Sequence, residues 1–348
     1  MKKILLLILM VIIGLTVSRA EKLTDLDEVI KPELIEVVGE TVLIVEGAAV
    51  HTYDLGTLKY LKKFGREGEG PGELKTTPSM ANYIVPLDAA FIMAGIDKAI
   101  VFDTGGVVKQ EIKIPLFTGY IYPVNGGFIG MRFRPGDKGI AWFELSVMDG
   151  EMKDVKVFHK QEMSGGQNRV DLTFDGMGVV VADNKVFVED STEGFKILIF
   201  DLKGNKLSEI TKNYKRVKFT EAMKNQAVDK LKTHPAVRQI GWDSFKKIVK
   251  IEHGEFLPLI QDMVVDDSRI YVRTNMRKSE LAEFIVMDFK GNILKNLYLP
   301  EPNDIDFGNR IFGRPARFYK IYNGKYYYLK ENMDEEMWEL HGTDTGMK

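Results

Sequence analysis

The 348-residue chain is 45% hydrophobic and 28% charged, which is typical of a soluble globular protein with a large core. Its formal net charge of −2 gives no overall field that would favour nucleic acid or an anionic membrane. The chain has no cysteine, which excludes disulfides, thiolate metal sites, a cysteine nucleophile and a lipid attached to an N-terminal cysteine.

Residues 1–20 have the pattern of a secretory signal peptide. Two lysines precede the apolar residues 4–17, and the segment ends in Ala20, a small residue at the usual cleavage position. An uncleaved membrane anchor is the alternative, but fourteen apolar residues are short for a bilayer span. We therefore expect cleavage before Glu21 and one soluble exported domain of residues 21–348, in the periplasm or outside the cell.

Beyond the signal peptide, short runs rich in Val, Ile, Phe and Tyr alternate with Gly, Asn and Asp turns, which predicts a β protein. In one recurring unit a strand ends in an aspartate and a glycine-bearing turn follows. The aspartates of these units are Asp54, Asp103, Asp149, Asp201 and Asp288. They are spaced 46–52 residues apart, except for a last interval of 87. A recurring aspartate of this kind is suited to accept hydrogen bonds from turn amides, so we interpret these residues as structural.

Residues 214–251 account for the long interval, because they carry helix formers with helical apolar spacing. The segment is basic, and Trp242, Phe245 and Ile248 form an apolar stripe. We expect the stripe to pack on the rim of the fold and the lysines to lie in solvent.

Without that segment the repeat is about fifty residues with four strands, which is typical of a β-propeller blade. One more period after Asp288 gives six modules. The sixth module is one strand short, and residues 23–30 are expected to supply it and close the ring. The predicted fold is an all-β, six-bladed β-propeller with a helical insertion, residues 214–251, between the fourth and fifth blades.

A glycine-rich loop, residues 64–74, stands between two of the predicted strands. Its defining residues are Gly65, Gly68, Gly70, Pro71 and Gly72. A phosphate-binding loop would need the sequence Gly-Lys-Ser/Thr and a following helix, whereas this loop contains several glutamates. The composition excludes regular structure here, and we predict a joint between the first and second blades.

Residues 64–74 resemble the glycine-proline-glycine signature that links blades in NHL-type propellers. Residues 257–272 resemble the start of an NHL repeat, although Asp267-Ser268 replaces the usual Asp-Gly. The chain is similar to exported bacterial six-bladed β-propellers related to the NHL-repeat and TolB-like proteins. The resemblance implies fold and export and no agreed activity.

The sequence offers few catalytic groups. The five histidines lack metal-ligand spacing, and no Gly-x-Ser-x-Gly elbow is present. Related propeller lactonases bind calcium with Glu, Asn and Asp at the inner ends of blades. That resemblance implies weak calcium candidates at Asn82, Asp171 and Asp262, which we place on innermost strands, and no other metal or cofactor is expected.

Charged residues recur where the second strand of each module ends. They are Glu46, Arg132, Glu189, Arg273 and Lys330, with Arg134 and Arg277 nearby. In a four-stranded meander these positions open on the same face as the connections between blades. They are either solvated loop residues or a binding face at the mouth of the central channel.

We therefore predict a non-enzymatic, monomeric exported protein that binds a protein, peptide or glycan on that face. Nucleic acid is not expected as a partner. The alternative is a calcium-dependent hydrolase or lactonase of propeller type.

Overall fold

The computed structural model describes residues 20–77, 82–136, 140–163, 169–173, 177–190, 194–301 and 317–347. The predicted signal peptide, up to residue 19, lies outside the described residues. Six four-stranded antiparallel sheets form the blades of a propeller. The fold is therefore the predicted all-β, six-bladed arrangement.

The first three blades follow each other along the chain. The first contains β2 (Leu34–Val38), β3 (Thr41–Glu46), β4 (Ala49–Asp54) and β5 (Tyr60–Phe64). Two short strands follow it, β6 (Arg66–Glu67) and β7 (Glu73–Leu74). The second blade contains β8 (Tyr83–Pro86), β9 (Ala90–Ala94), β10 (Lys98–Asp103) and β11 (Val108–Lys113). The third contains β12 (Thr118–Val124), β13 (Gly127–Pro135), β14 (Ala141–Asp149) and β15 (Asp154–Glu162).

The last three blades are interrupted by a short ladder and three helices. After β16 (Arg169–Asp171), the fourth blade contains β17 (Gly178–Ala182), β18 (Lys185–Glu189), β19 (Phe195–Asp201) and β20 (Lys206–Lys212). Next come α1 (Glu221–Thr233), α2 (Pro235–Ile240), α3 (Trp242–Ile248) and β21 (Lys250–Glu252). The fifth blade contains β22 (Asp262–Asp266), β23 (Arg269–Lys278), β24 (Leu281–Met287) and β25 (Ile293–Pro300). The sixth contains β26 (Tyr319–Tyr322), β27 (Lys325–Asn332), β28 (Met337–Asp344) and β1 (Glu21–Asp25).

The first strand of each blade lies innermost. Strand β2 contacts both β8 and β26, and β22 contacts both β17 and β26, so these strands surround the axis. The fourth strands lie outside, as the exposed residues of β5 and β11 show. Apolar residues of neighbouring blades pack together, for example Val45 with Phe91 and Phe187 with Ile285. The core is therefore a series of layers between blades.

The recurring aspartates bind turn amides, as predicted. The Asp201 carboxylate accepts hydrogen bonds from the amides of Lys203 at 2.9 Å and Asn205 at 2.8 Å. Asp288 repeats this pattern in the fifth blade, where Asn292 N lies 2.8 Å away. Gly204 and Gly291, with φ of 70° and 84°, adopt the left-handed conformation that these two hairpins require.

The N-terminal strand completes the sixth blade. Strand β1 pairs antiparallel with β28, the third strand of that blade, so the two ends of the described chain close the ring. The prediction of this closure is confirmed, but the strand spans residues 21–25 and not 23–30. Leu26 and Val29 are buried in the core beside β28 because the chain turns inward after the strand.

The helices have the end signals that the sequence suggests. The Thr220 side chain caps α1 by accepting a hydrogen bond from Met223 N, and Pro235 begins α2. Gly241, whose φ is 79°, separates α2 from α3.

The helices share a core of their own with strand β16, which corrects the expected packing on the propeller rim. Phe219, Leu231 and Phe245 pack with Val170 and Leu172. The parallel pairing of β16 with β21 supports this arrangement. The three residues of the predicted apolar stripe differ in solvent exposure: Phe245 is buried, Trp242 is half-buried and Ile248 is exposed.

The glycine-rich loop connects the first and second blades, as predicted, but it contains regular structure. Strands β6 and β7 form a parallel two-residue ladder, which corrects the expectation of a loop without strands. The Glu73 carboxylate holds the loop from inside, because Gly70 N donates to it at 2.8 Å and Arg66 Nε lies 2.7 Å from it. Glycines permit this tight fold because a side chain at Gly68 would collide with Glu73.

Candidate functional site

One face of the ring carries two kinds of connection, those between the second and third strands of a blade and those between blades. We call it the loop face. It follows from the meander order of the strands, because alternate turns of an antiparallel sheet open at opposite ends. The turns that contain the recurring aspartates lie on the opposite face.

Exposed large apolar side chains are unevenly divided between the two faces. On the loop face, the exposed ones in blade connections and strand turns are Ile30, Ile96, Leu116, Phe117, Ile140 and Met333. On the turns of the opposite face, among the described residues, only Val107 is comparably exposed. The remaining ones lie on outer strands or on the helices. We call the six residues of the loop face the apolar rim.

Leu116 and Phe117 are the most prominent part of the apolar rim. They lie in the connection between the second and third blades and are 75% and 63% exposed. Phe117 has a φ of 65°, a strained conformation for a bulky residue. Its carbonyl oxygen accepts a hydrogen bond from Phe133 N at 2.7 Å, and the two rings lie 6.0 Å apart. The backbone is therefore fixed while the side chain faces solvent.

Glu46, one of the predicted binding residues, fixes another part of the rim. Its carboxylate accepts hydrogen bonds from the amides of Ile30 at 3.0 Å and Lys31 at 2.6 Å, and from His51 Nε2 at 3.1 Å. Burial would raise the pKa of Glu46, but these hydrogen bonds lower it below its ordinary value. The side chain of Ile30 stays 83% exposed. Glu46 thus supports the connection that presents Ile30.

Arg132 and Arg134 are engaged within the third blade. Arg132 Nη1 lies 3.0 Å and Arg134 Nη2 lies 2.6 Å from the Asp154 carboxylate on β15. Arg134 also lies 3.5 Å from Glu144. The two arginines therefore link the strands of one blade, and binding of a ligand by them stays a prediction.

Arg273 and Arg277 form a second ion-pair cluster, in the fifth blade. Both guanidinium groups contact the carboxylate of Glu301, which is almost completely buried. The Arg273 guanidinium also lies 5.6 Å from the ring centre of Tyr319 in the sixth blade. The cluster joins the two blades through these contacts.

The last two predicted binding residues differ from each other. Glu189 ends β18 and is buried, with its side chain lying against Gly178 so that no Cβ would fit there. Lys330 lies on β27 and is exposed. The structure thus spreads the seven charged residues over five blades, and it gives five of them ion pairs within the protein.

The three calcium candidates have other contacts. Arg317 Nη2 lies 2.6 Å from the Asp262 carboxylate, and the Tyr319 hydroxyl donates to it at 2.6 Å. Asn82 donates to the Gly47 carbonyl at 2.9 Å. Asp171 lies on β16, so its predicted position on an innermost strand is wrong. The calcium hypothesis stays a prediction without support from this geometry.

Among the described residues, one carboxylate trio brings its oxygen atoms within 4.8 Å of one another: Asp25, Glu335 and Glu339. Lys22 Nζ lies 2.6 Å from Asp25 and 3.1 Å from Glu339. The Lys22 ammonium group already contacts two of these three carboxylates, and the cluster joins β1 to β28. Its evident role is to hold the closing strand.

Sequence reasoning identified the loop face but missed the apolar rim. Exposed aliphatic residues in loops have no recognisable spacing, so the strand order was the only available signal. The topological argument that was used for the charged residues would also have placed Ile96 and Leu116 on the loop face.

Comparison with known proteins supports the fold. A protein from Bacteroides fragilis that is named as an exported protein is 12% identical, with a TM-score of 0.53 over 94% of each chain. A DUF4221 family member from Bacteroides vulgatus is 9% identical, with a TM-score of 0.48 over 93% of this chain and 97% of its own. No family model and no curated protein matches the sequence.

Strand order and structural likeness together define a six-bladed β-propeller, similar in fold to the Bacteroides fragilis protein. The relation to NHL-repeat and TolB-like proteins stays a prediction. Within the described residues, no helix is long and apolar enough to cross a membrane.

Proposed function

We propose that this chain is an exported, non-enzymatic propeller that binds a protein or peptide partner on its loop face. In this proposal residues 21–348 form one monomeric domain, and residues 214–251 are an insertion between the fourth and fifth blades. The observation that carries the proposal is the apolar rim. Large apolar side chains that are exposed mainly on one face, and not evenly over both, favour that face as an interaction site.

The chemistry of the rim favours a protein or peptide over a glycan. Its members are aliphatic side chains, a methionine and one phenylalanine. Such side chains gain free energy when a partner removes their apolar surface from water. Phe117, which is strained and largely exposed, is consistent with this role, because local strain of this kind often marks a binding segment.

The geometry gives the hydrolase alternative less support. Its proposed calcium ligands include Asp262, whose carboxylate is held by Arg317 and Tyr319. Asp171 lies on a different sheet from the blades. A calcium-dependent thermal shift that is lost in Asp262→Asn would favour the hydrolase alternative.

The test compares proteins captured from an envelope extract by the wild type and by two variants. Leu116→Ser with Phe117→Ser alters the apolar rim, and Leu207→Ser with Ile293→Ser is the matched control on outer strands. We expect the first pair alone to lose a specific partner. Equal capture by both variants would refute the proposal.

Charge reversal at the predicted arginines would be a poor test. Arg273→Glu would place a second carboxylate against buried Glu301, and Arg132→Glu would face Asp154. Both changes would disturb folding, because like charges at these distances repel.

A further inference from the structure

The basic helical unit, residues 214–251, reverses the charge of the rest of the protein. It contains ten Lys and Arg residues and three Asp and Glu residues, a net charge of +7. The chain as a whole carries −2 and residues 1–20 contribute +3, so residues 21–348 outside the unit carry −12. The nearly neutral total therefore conceals a strong separation of charge.

Part of this positive charge is not neutralised locally. Ion pairs within a helix, such as Asp229–Lys232 at 2.8 Å, neutralise some of the positive charges. The unit's exposed cations without an acidic partner in the described structure include Lys215, Lys218, Arg238 and Lys247. They are spread over the segment before α1 and over α2 and α3.

The helical unit also exposes apolar side chains on the two helices, α2 and α3, that carry Arg238 and Lys247. Ile240 ends α2 and is 44% exposed, and Ile248 ends α3 and is 59% exposed. Half-buried Trp242 lies between them in sequence, with the ammonium groups of Lys232 and Lys246 5.7 Å and 5.6 Å from its ring. Isoleucine and tryptophan beside lysine and arginine are typical of helices that lie in the interface of a membrane.

We propose that the basic helical unit docks on an anionic lipid surface through Arg238, Lys247, Ile240 and Ile248. Dispersed cations suit a fluid layer of headgroups, which needs no shape-complementary pocket. The acidic remainder of the protein is repelled by the same surface, so the unit determines the orientation of the bound molecule. This proposal is independent of the partner of the apolar rim.

The test measures binding of the purified protein to vesicles of phosphatidylcholine with and without about a third phosphatidylglycerol. We expect binding to the anionic vesicles only, with loss of binding as salt rises from about 50 mM to about 300 mM. The charge variant is Arg238→Glu with Lys247→Glu, and the apolar variant is Ile240→Ser with Ile248→Ser. Circular dichroism establishes that each variant is folded.

The matched control reverses two exposed lysines on the opposite face, Lys59→Glu with Lys290→Glu, and changes the total charge equally. Each cation near an anionic surface changes partitioning about fivefold, so the charge variant should bind at least about 25-fold more weakly. The apolar variant should also bind more weakly, and the control should bind within about threefold of wild type.

Three results with the vesicles would overturn the proposal. They are equal binding to neutral and anionic vesicles, equal weakening in the charge variant and the control, and absence of binding to anionic vesicles at low salt. Binding of poly-L-glutamate in place of vesicles would assign the unit to an acidic protein and would likewise reject the lipid.

Discussion

Replacing Gly65 by alanine should destabilise the propeller far more than the same change at Gly39. Both glycines have left-handed backbones, with φ of 77° and 57°. At Gly65 an added Cβ would lie 2.6 Å from the carbonyl oxygen of Ala48, which belongs to the backbone and cannot rotate away. At Gly39 nothing lies within 4 Å of the added atom. Comparing the two alanine variants therefore separates the free-energy cost of backbone strain from the cost of the steric collision.

The expected magnitudes follow from these two terms. The left-handed conformation costs alanine about 1–2 kcal/mol. The alanine variant's unfolded chain has less conformational entropy than the glycine chain, which offsets about 0.4–1 kcal/mol of that cost. Gly39→Ala should therefore lose about 1 kcal/mol of unfolding free energy. Overpacking against the backbone adds about 1–3 kcal/mol, so Gly65→Ala should lose about 3 kcal/mol. Urea unfolding followed by circular dichroism measures both. Equal losses would show that the joint between the first and second blades is not packed as described.

Two further predictions concern buried and linked charges. Glu301→Ala should lose about 3 kcal/mol of unfolding free energy in urea, because it leaves Arg273 and Arg277 without their carboxylate, and an unchanged midpoint would contradict the ion-pair cluster. A hydrogen bond from His341 lowers the pKa of Glu339 to about 2, below its ordinary 4.5. Its ionised form therefore stabilises the fold above about pH 4.5, and this stabilisation should be lost as the pH falls towards 2. Glu339→Gln should flatten the dependence of the melting temperature on pH over that range. A dependence equal to that of the wild type would contradict the link between Glu339 ionisation and stability.

Local signals in the sequence predicted the repeating parts of the fold. The spacing of the recurring aspartates predicted the blade count once residues 214–251 were set aside. Each of them, as Asp201 and Asp288 show, fixes a hairpin through bonds to nearby amides. Ring closure was predictable because the last module lacked a strand. The blade count and the ring closure both depend on interactions within the repeating unit, which the sequence shows directly.

Interactions between distant residues could not be predicted. Arg273 and Arg277 were expected at a binding face, but their partner Glu301 follows a complete outer strand. Strands β13 and β23 also continue past the apolar residues that mark strands in the sequence, and so they include Arg132 and Arg273. Pairing with the neighbouring strand determines their length, which a polar sequence does not reveal.

The net charge was misleading for a related reason. A total of −2 argued against anionic surfaces, but the structure gathers residues 214–251 into one unit with a separate core. Charge acts through its local distribution, so a segment of +7 can be attracted where the whole chain is not.

The most direct test of the central claim is the dissociation constant of the purified partner captured through the loop face, measured for the two serine variants. The account predicts at least about tenfold weaker binding for Leu116→Ser with Phe117→Ser, since buried aromatic anchors carry much of an interface's energy. It predicts unchanged binding for Leu207→Ser with Ile293→Ser. Unchanged affinity in the first variant, or equal weakening in both, would contradict binding through the apolar rim.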